Sequence, residues 1–292
     1  MRSSALVLLL AAAACGAPVA GDAGRGAPAA DAPRPADTLR PDWADAFAAR
    51  GGVGTFVLYH PATGVTERLD ADRAARRYLP ASTFKLYNAL VAVETGVVGD
   101  VDSAFVWDGV VREVDVWNQN HSLRSGLAVS AVWLYQRVAR RVGRERYQAA
   151  LAREPYGNGV VGDALDLFWL DGSLRISADE QVRFADRLRT GRTAFSDAAE
   201  ATVREILPVL VDAPRARMLA KTGGGGFDRA PGERVPLGWL VGWVERAEAD
   251  GGDVVFALNV EPAPGVTDFA MRPARLAIAR DILAREGVLP AP

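Results

Sequence analysis

Three residue types are nearly missing from this chain, and each shortage excludes a chemistry. Cysteine occurs once, at Cys15, so no disulfide can form within the chain. Histidine occurs twice, at His60 and His121, which is too few to build a Cys/His zinc site, and no metal is expected. A Ser-His-Asp triad would have to use one of those two. His60 sits at a turn and His121 in the polar stretch Asn118-Gln119-Asn120-His121, so both read as structural or surface residues. No apolar run of about 18 or more residues follows the N-terminus, so no membrane span is expected there. The net charge of −2 argues against nucleic acid as a partner, because counterion-release binding needs a basic surface.

Lysine is the third shortage. Of 34 basic residues only Lys85 and Lys221 are lysine, the rest being arginine. A bias toward arginine explains the surface, but it leaves the two exceptions conspicuous. Arginine is effectively always protonated, whereas a buried lysine can lose its proton and act as a base. The two lysines stand in Ser82-Thr83-Phe84-Lys85 and Lys221-Thr222-Gly223, which points to amine chemistry at both places.

What is present suits a globular domain, at 49% hydrophobic and 24% charged residues. Residues 1–20 read as an export signal: Arg2, the apolar stretch Ala5 to Leu10, and the small residues Ala11 to Ala14 before Cys15. Cys15 resembles a lipoprotein cysteine, although Ala12 replaces a larger apolar residue. Lipid anchoring at an outer membrane and plain secretion both stay open, and the expected location is periplasmic or secreted. Residues 21–41, rich in Ala, Pro, Gly and Asp, read as a flexible tether. Residues 42–292 are expected to form one catalytic domain, with an α/β lobe of about 42–95 plus 203–292 and a helical lobe of about 96–202.

Strands are predicted at Gly52–His60 and Val65–Leu69 around a turn, and later at Arg217–Lys221, Trp239–Arg246 and Val254–Val260. Helices are predicted from Ser82 to Gly96, over Val129–Val142 and Ala178–Arg189, and from Pro273 onward. Trp239 and Trp243 alternate along a strand and read as core, and the arginines from Arg137 to Arg146 as a solvated helix face. Phe227 to Pro236 reads as a mobile polar connection. Strands at both ends around a helical middle imply an α+β fold, an antiparallel sheet flanked by helices with an all-helical subdomain.

On a helix, residues three apart share a face, so the Ser82 hydroxyl can meet the Lys85 amine. A serine hydroxyl is a weak nucleophile until a base takes its proton. Ser-x-x-Lys alone arises readily by chance. Ser130-Ala131-Val132, Tyr156-Gly157-Asn158 and Lys221-Thr222-Gly223, in that order and with wide spacing, change the odds. Gly223 and Gly224 let a substrate approach the strand edge closely. Ser-x-x-Lys with Lys-Thr-Gly marks serine β-lactamases and penicillin-binding proteins.

From about Trp43 to its C-terminus the chain resembles the class D, oxacillinase-type serine β-lactamases. The resemblance runs through Pro80–Lys85, Glu94–Val98, Trp107–Asp108, Ser130–Val132, Tyr156–Asn158, Phe168–Ala178, Lys221–Gly223 and Gly238–Glu245. It implies the serine β-lactamase/penicillin-binding-protein-like fold and β-lactam hydrolysis through an acyl-enzyme on Ser82. It also implies that Phe84, Val132, Trp169 and Leu170 enclose Lys85. There carbon dioxide would add to the amine, and the N-carboxylated lysine would serve as general base. Ser130 and Lys221 would pass a proton to the β-lactam nitrogen. Thr222, Gly223, Gly224 and Arg272 would bind substrate, Thr222 and Arg272 at its carboxylate, while the N–H groups of Ser82 and Gly224 hold the acyl oxygen. Arg275 is a close rival for the arginine role.

Related acyl-enzymes usually carry Ser-x-Asn where this chain has Ser130-Ala131-Val132, which favours a hydrolase over a β-lactam sensor that stays acylated or a cell-wall peptidase. In one respect the chain departs from its relatives: the residue after Lys-Thr-Gly is often larger, and here it is Gly224 in a run of four glycines.

Overall fold

The computed structural model describes residues 37–291. The expected export signal, Cys15 and most of the tether lie outside them. The fold begins earlier than expected. β1 (Thr38–Leu39) pairs parallel to β3 (Val65–Arg68). The reason is Arg40, whose guanidinium bridges Asp42, Glu67 and Glu286 and ties the start of the domain to its end.

After the short helix α1 (Ala44–Ala48), β2 (Gly52–His60) lies between β3 and the later strand β7 (Val254–Pro262). The remaining strands are β4 (Val209–Ala213), β5 (Ala216–Ala230) and β6 (Glu233–Glu245). Together they form one seven-stranded sheet in the order β1-β3-β2-β7-β6-β5-β4, antiparallel except for β1 with β3. Side chains alternate across a strand, and the sheet uses both faces. Phe56, Leu58, Phe256 and Leu258 pack toward α1 and the C-terminal helix α9 (Met271–Arg285), whereas Val57, Val255, Ala257 and Trp239 pack toward the helical body. Val254–Leu258 is therefore an unbroken apolar run, as expected of a strand covered on both sides, and the buried Asn259 that follows accepts from Arg73 Nε at 2.7 Å.

The helical body holds α2 (Ala71–Ala75), α3 (Lys85–Glu94), α4 (Leu123–Ala128), α5 (Val132–Val142) and α6 (Arg144–Arg153), followed by α7 (Ala178–Thr190) and α8 (Asp197–Ile206). α7 starts on a capping box between Ser177 and Glu180 and ends on Gly191 at φ 66°. It lies on β7, β6 and β2, so this stretch of the expected helical lobe packs directly on the face of the sheet.

Two expectations need correction. The helix drawn over Val129–Val142 begins only at Val132, because Ser130 has φ 59° and breaks the turn. Phe227 to Pro236 is the far end of a β-hairpin: β5 and β6 stay paired from Arg217↔Glu245 to Ala230↔Glu233, turning at Gly232 with φ 79°. Cross-strand pairing overrides the weak strand propensity of the glycines and charged residues there.

Candidate active site

Ser82 sits in a tight 3-10 turn (Ala81–Phe84) that runs directly into α3. The predicted helix is thus two pieces, and the first is more tightly wound. Ala81 stands at φ 49°, a conformation costly for a residue with a Cβ. It is secured from two sides. The Ala81 amide donates to the Trp169 carbonyl at 3.0 Å, and Trp239 Nε1 donates to the Leu79 carbonyl at 3.0 Å. Gln181 from α7 adds a third tie, donating to Thr83 Oγ1 at 2.7 Å while that hydroxyl donates to the Pro80 carbonyl at 2.7 Å.

One turn on, Lys85 Nζ lies 2.5 Å from Ser82 Oγ. Lys85 is fully buried, and burial alone pushes its pKa down to about 7 from 10.5. Phe84 stacks on Trp169 with ring centroids 5.6 Å apart, and both are buried. The Trp169 indole N–H is buried with no hydrogen-bond partner. An unpaired buried donor costs free energy, so it marks a place built to receive an acceptor.

The opposite wall comes from Ser130 and β5. Lys221 Nζ donates to Ser130 Oγ at 3.1 Å and to the Thr222 carbonyl at 2.9 Å. Its pKa is lowered well below normal by burial, then by the charges of Lys85 and Arg275. β4 pairs with β5 only as far as Leu219, so beyond it β5 has no strand on its outer edge. The turn carrying Ser82 approaches there. A Cβ on Gly223 would lie 3.0–3.2 Å from Trp239, Pro80 and Thr83 atoms, which is why glycine follows Lys221-Thr222.

Ser82, Ser130, Val132, Leu170, Thr222, Gly223 and Gly224 are among the residues lining one cavity of about 360 Å³, while Lys85 and Lys221 are buried behind the two serines, each bonded to one of them. Arg272 and Arg275 both line it, one turn apart at the start of α9. Arg272 is exposed, whereas Arg275 Nη1 donates to the Gly223 carbonyl at 2.5 Å and its Nε is buried without a partner. Burial, then the charge of Arg272, lowers the Arg275 pKa to about 10, so it stays cationic at neutral pH. The arginine joined to β5 is thus Arg275.

Tyr156, Gly157 and Asn158 lie outside the cavity but hold its wall. Asn158 N donates to the Arg175 carbonyl, the Arg175 amide donates back to Asn158 Oδ1, both at 2.9 Å, and Asn158 Nδ2 donates to the Ser173 carbonyl at 2.8 Å. Gly157 has φ 57°, and a Cβ there would overlap the Arg175 carbonyl. Tyr156 OH donates to Gln181 Oε1 at 3.1 Å. The loop carrying Phe168-Trp169-Leu170 is therefore fastened at its return. His60 pairs with Glu67, and His121 is bound between Ser125 and the Val116 carbonyl; neither lines the cavity. Val114, Trp117 and Met271, which no sequence motif marks, also line it.

Residues 54–284 match the penicillin-binding-protein transpeptidase domain family. The chain is 37% identical over 250 residues to the β-lactamase OXA-5 of Pseudomonas aeruginosa, covering 85% of this chain and 89% of that one. The crystal structure of FUS-1, a class D β-lactamase from Fusobacterium nucleatum, matches with a TM-score of 0.78 and 32% identity, over 86% of this chain and 100% of the other. The C-terminal domain of the Bacillus licheniformis BlaR penicillin receptor matches with a TM-score of 0.79 and 27% identity, over 89% and 100%. With Ser82 and Ser130 on one cavity, each backed by a buried lysine, the chain belongs to the class D β-lactamases.

Proposed function

We propose that this chain hydrolyses β-lactams through an acyl-enzyme on Ser82. The observation that carries the reading is the Ser82–Lys85 pair: a hydroxyl 2.5 Å from an amine that burial holds near pKa 7. An amine so tuned can accept the hydroxyl proton at neutral pH. Ser82 Oγ then bonds to the lactam carbonyl carbon, and the carbonyl oxygen takes up negative charge beside the N–H groups of Ser82 and Gly224. As the C–N bond breaks, the ring nitrogen receives the Ser130 proton, with Lys221 at 3.1 Å steering it, and the proton that Ser82 gave up is passed on to restore the Ser130 hydroxyl. Thr222 and Arg275 would bind the substrate carboxylate, the guanidinium suiting a two-point contact.

Release of the acyl group needs a base that activates water after Ser82 is consumed. Lys85 fits carbon dioxide bound as a carbamate: its amine is buried and partly neutral, and the Trp169 N–H in the adjoining wall lacks an acceptor. Phe84, Val132 and Leu170 would complete the enclosure. When bound, the group supplies an anionic oxygen able to accept a proton from Ser82 or from water. The buried walls keep other water out, and Trp169 would hold the carbamate by its N–H.

The same proposal places the protein in the periplasm or outside the cell, with residues 1–20 as its export signal and Cys15 open to lipidation. The mass of the exported chain tests that part.

The deciding experiment follows penicillin turnover by the purified protein with bicarbonate, beside Ser82→Ala and Lys85→Ala. Many turnovers by the wild type and none by either variant support the hydrolase. A single burst that leaves Ser82 acylated would instead make the protein a receptor.

A further inference from the structure

Gly224 and Gly238 face each other across β5 and β6. Directly paired residues point to the same side of a sheet, so this pair leaves a gap two side chains wide at the lip of the cavity. Met271, the first residue of α9, fills it. A Cβ on Gly224 would come within 3.0 Å of Met271 Cε, and one on Gly238 within 2.8 Å of Cγ and 2.9 Å of the sulfur. The sulfur lies 3.6 Å from Arg275 Nη1, the nitrogen that donates to Gly223. Met271 is half-buried and lines the same cavity as Ser82, Ser130 and Thr222.

We propose that Met271 is the specificity-determining side chain of this site, supplying from α9 the wall that a larger residue at position 224 would supply from the strand. The inference rests on the β-lactam reading above. If the acyl oxygen is held at the Gly224 N–H, the substituent beside the reacting carbonyl must run past this wall. A side chain on the strand would stand fixed by the backbone, whereas methionine has three rotatable bonds and a polarizable tip. Met271 therefore yields to acyl groups of different width, and its contact with Arg275 passes that adjustment to the carboxylate end of the substrate.

The test compares benzylpenicillin with a penicillin bearing a 2,6-dimethoxyphenyl acyl group, in wild type, Met271→Ala and Met271→Leu. The kcat/KM ratio of bulky to small substrate should rise about ten-fold in Met271→Ala, through the KM of the bulky substrate, as expected when a pocket wall is removed. In Met271→Leu, which keeps the volume, it should stay within about two-fold. Unchanged selectivity in Met271→Ala overturns the proposal. Should turnover stop at the acyl-enzyme, the same ratio is read from Ser82 acylation rates by mass spectrometry. No acylation at all sinks the β-lactam reading and this one with it, whereas acylation with an unchanged ratio sinks only the role of Met271. A thermal arm probes the seat itself: Gly238→Ala should lower Tm clearly in the wild type and much less in Met271→Ala. Equal losses would mean that Met271 does not occupy the gap.

Discussion

The amide of Ala81 is hydrogen bonded to the carbonyl of Trp169 at 3.0 Å. The residue before the nucleophile is therefore tied to the residue whose indole N–H is left without a partner. Backbone and side chain of Trp169 serve separate ends, and a substitution can separate them. Trp169→Phe keeps the backbone bond and most of the stacking on Phe84 but deletes the N–H. Because that donor is unpaired, stability should hold or rise slightly. Deacylation should slow by about 10²-fold or more, and more bicarbonate should be needed for half-maximal rate. Carbon-13 NMR of the carbamate, read beside Tm, checks both halves.

Lys85 dictates a pH dependence. Its pKa is held down to about 7, so below that pH the amine is protonated and cannot accept the Ser82 proton or add carbon dioxide. Acylation and turnover should fall as pH drops through about 7, and added bicarbonate should restore activity best above it. A pH profile that is flat between 5 and 8, with and without bicarbonate, would refute this assignment. Stability has the complementary sign. Between the lowered folded pKa and the normal unfolded one, the unfolded chain binds more protons, so buried Lys85 costs stability, fully so below about 7. Lys85→Met should raise Tm more at pH 6 than at pH 10.

Arg275 and Arg272 should differ sharply. Arg275→Ala removes the partly buried cation tied to Gly223, and KM for penicillins should rise about ten-fold or more, as expected for loss of a charged hydrogen-bond partner. Arg272→Ala removes an exposed charge and should change KM by about three-fold at most. Steady-state kinetics at moderate salt separates them, and equal effects would mean that the two arginines share the carboxylate.

Gly157→Ala tests the fastening of the Trp169 loop. The left-handed φ and the overlap with the Arg175 carbonyl predict a loss of about 2 kcal/mol or more, measured by denaturant unfolding. Where the variant stays folded, its carbamate signal should weaken, since the loop carrying Trp169 loses its hold.

The Ser82–Lys85 contact could be read from the chain because residues three apart share a helical face, whereas Ser130 and Lys221 stood out only through the joint order of the motifs and the family resemblance they carry. The central strands were equally plain, since Val254–Leu258 is an unbroken apolar run that suits a strand covered on both faces. Other features depend on partners distant in sequence. The glycines of β5 have little strand propensity, and only pairing with Gly238–Leu240 extends the strand past Lys221. Which arginine of α9 reaches β5 depends on the helix phase against the sheet; residues 272 and 275 are one turn apart, and no local pattern separates them. Gln181 joins Thr83 to Tyr156 from an otherwise ordinary amphipathic helix. Arg40 looked like part of a tether because two of its three acidic partners, Glu67 and Glu286, lie 27 and 246 residues away.

The burial of both lysines has a practical consequence. Lys85 and Lys221 are the chain's only lysines, and each lies inside the site. Lysine labelled with nitrogen-15 at the side chain would therefore report from two positions, one behind Ser82 and one behind Ser130. Two resonances, with no surface background to subtract, would follow the two proton-handling amines through acylation and release.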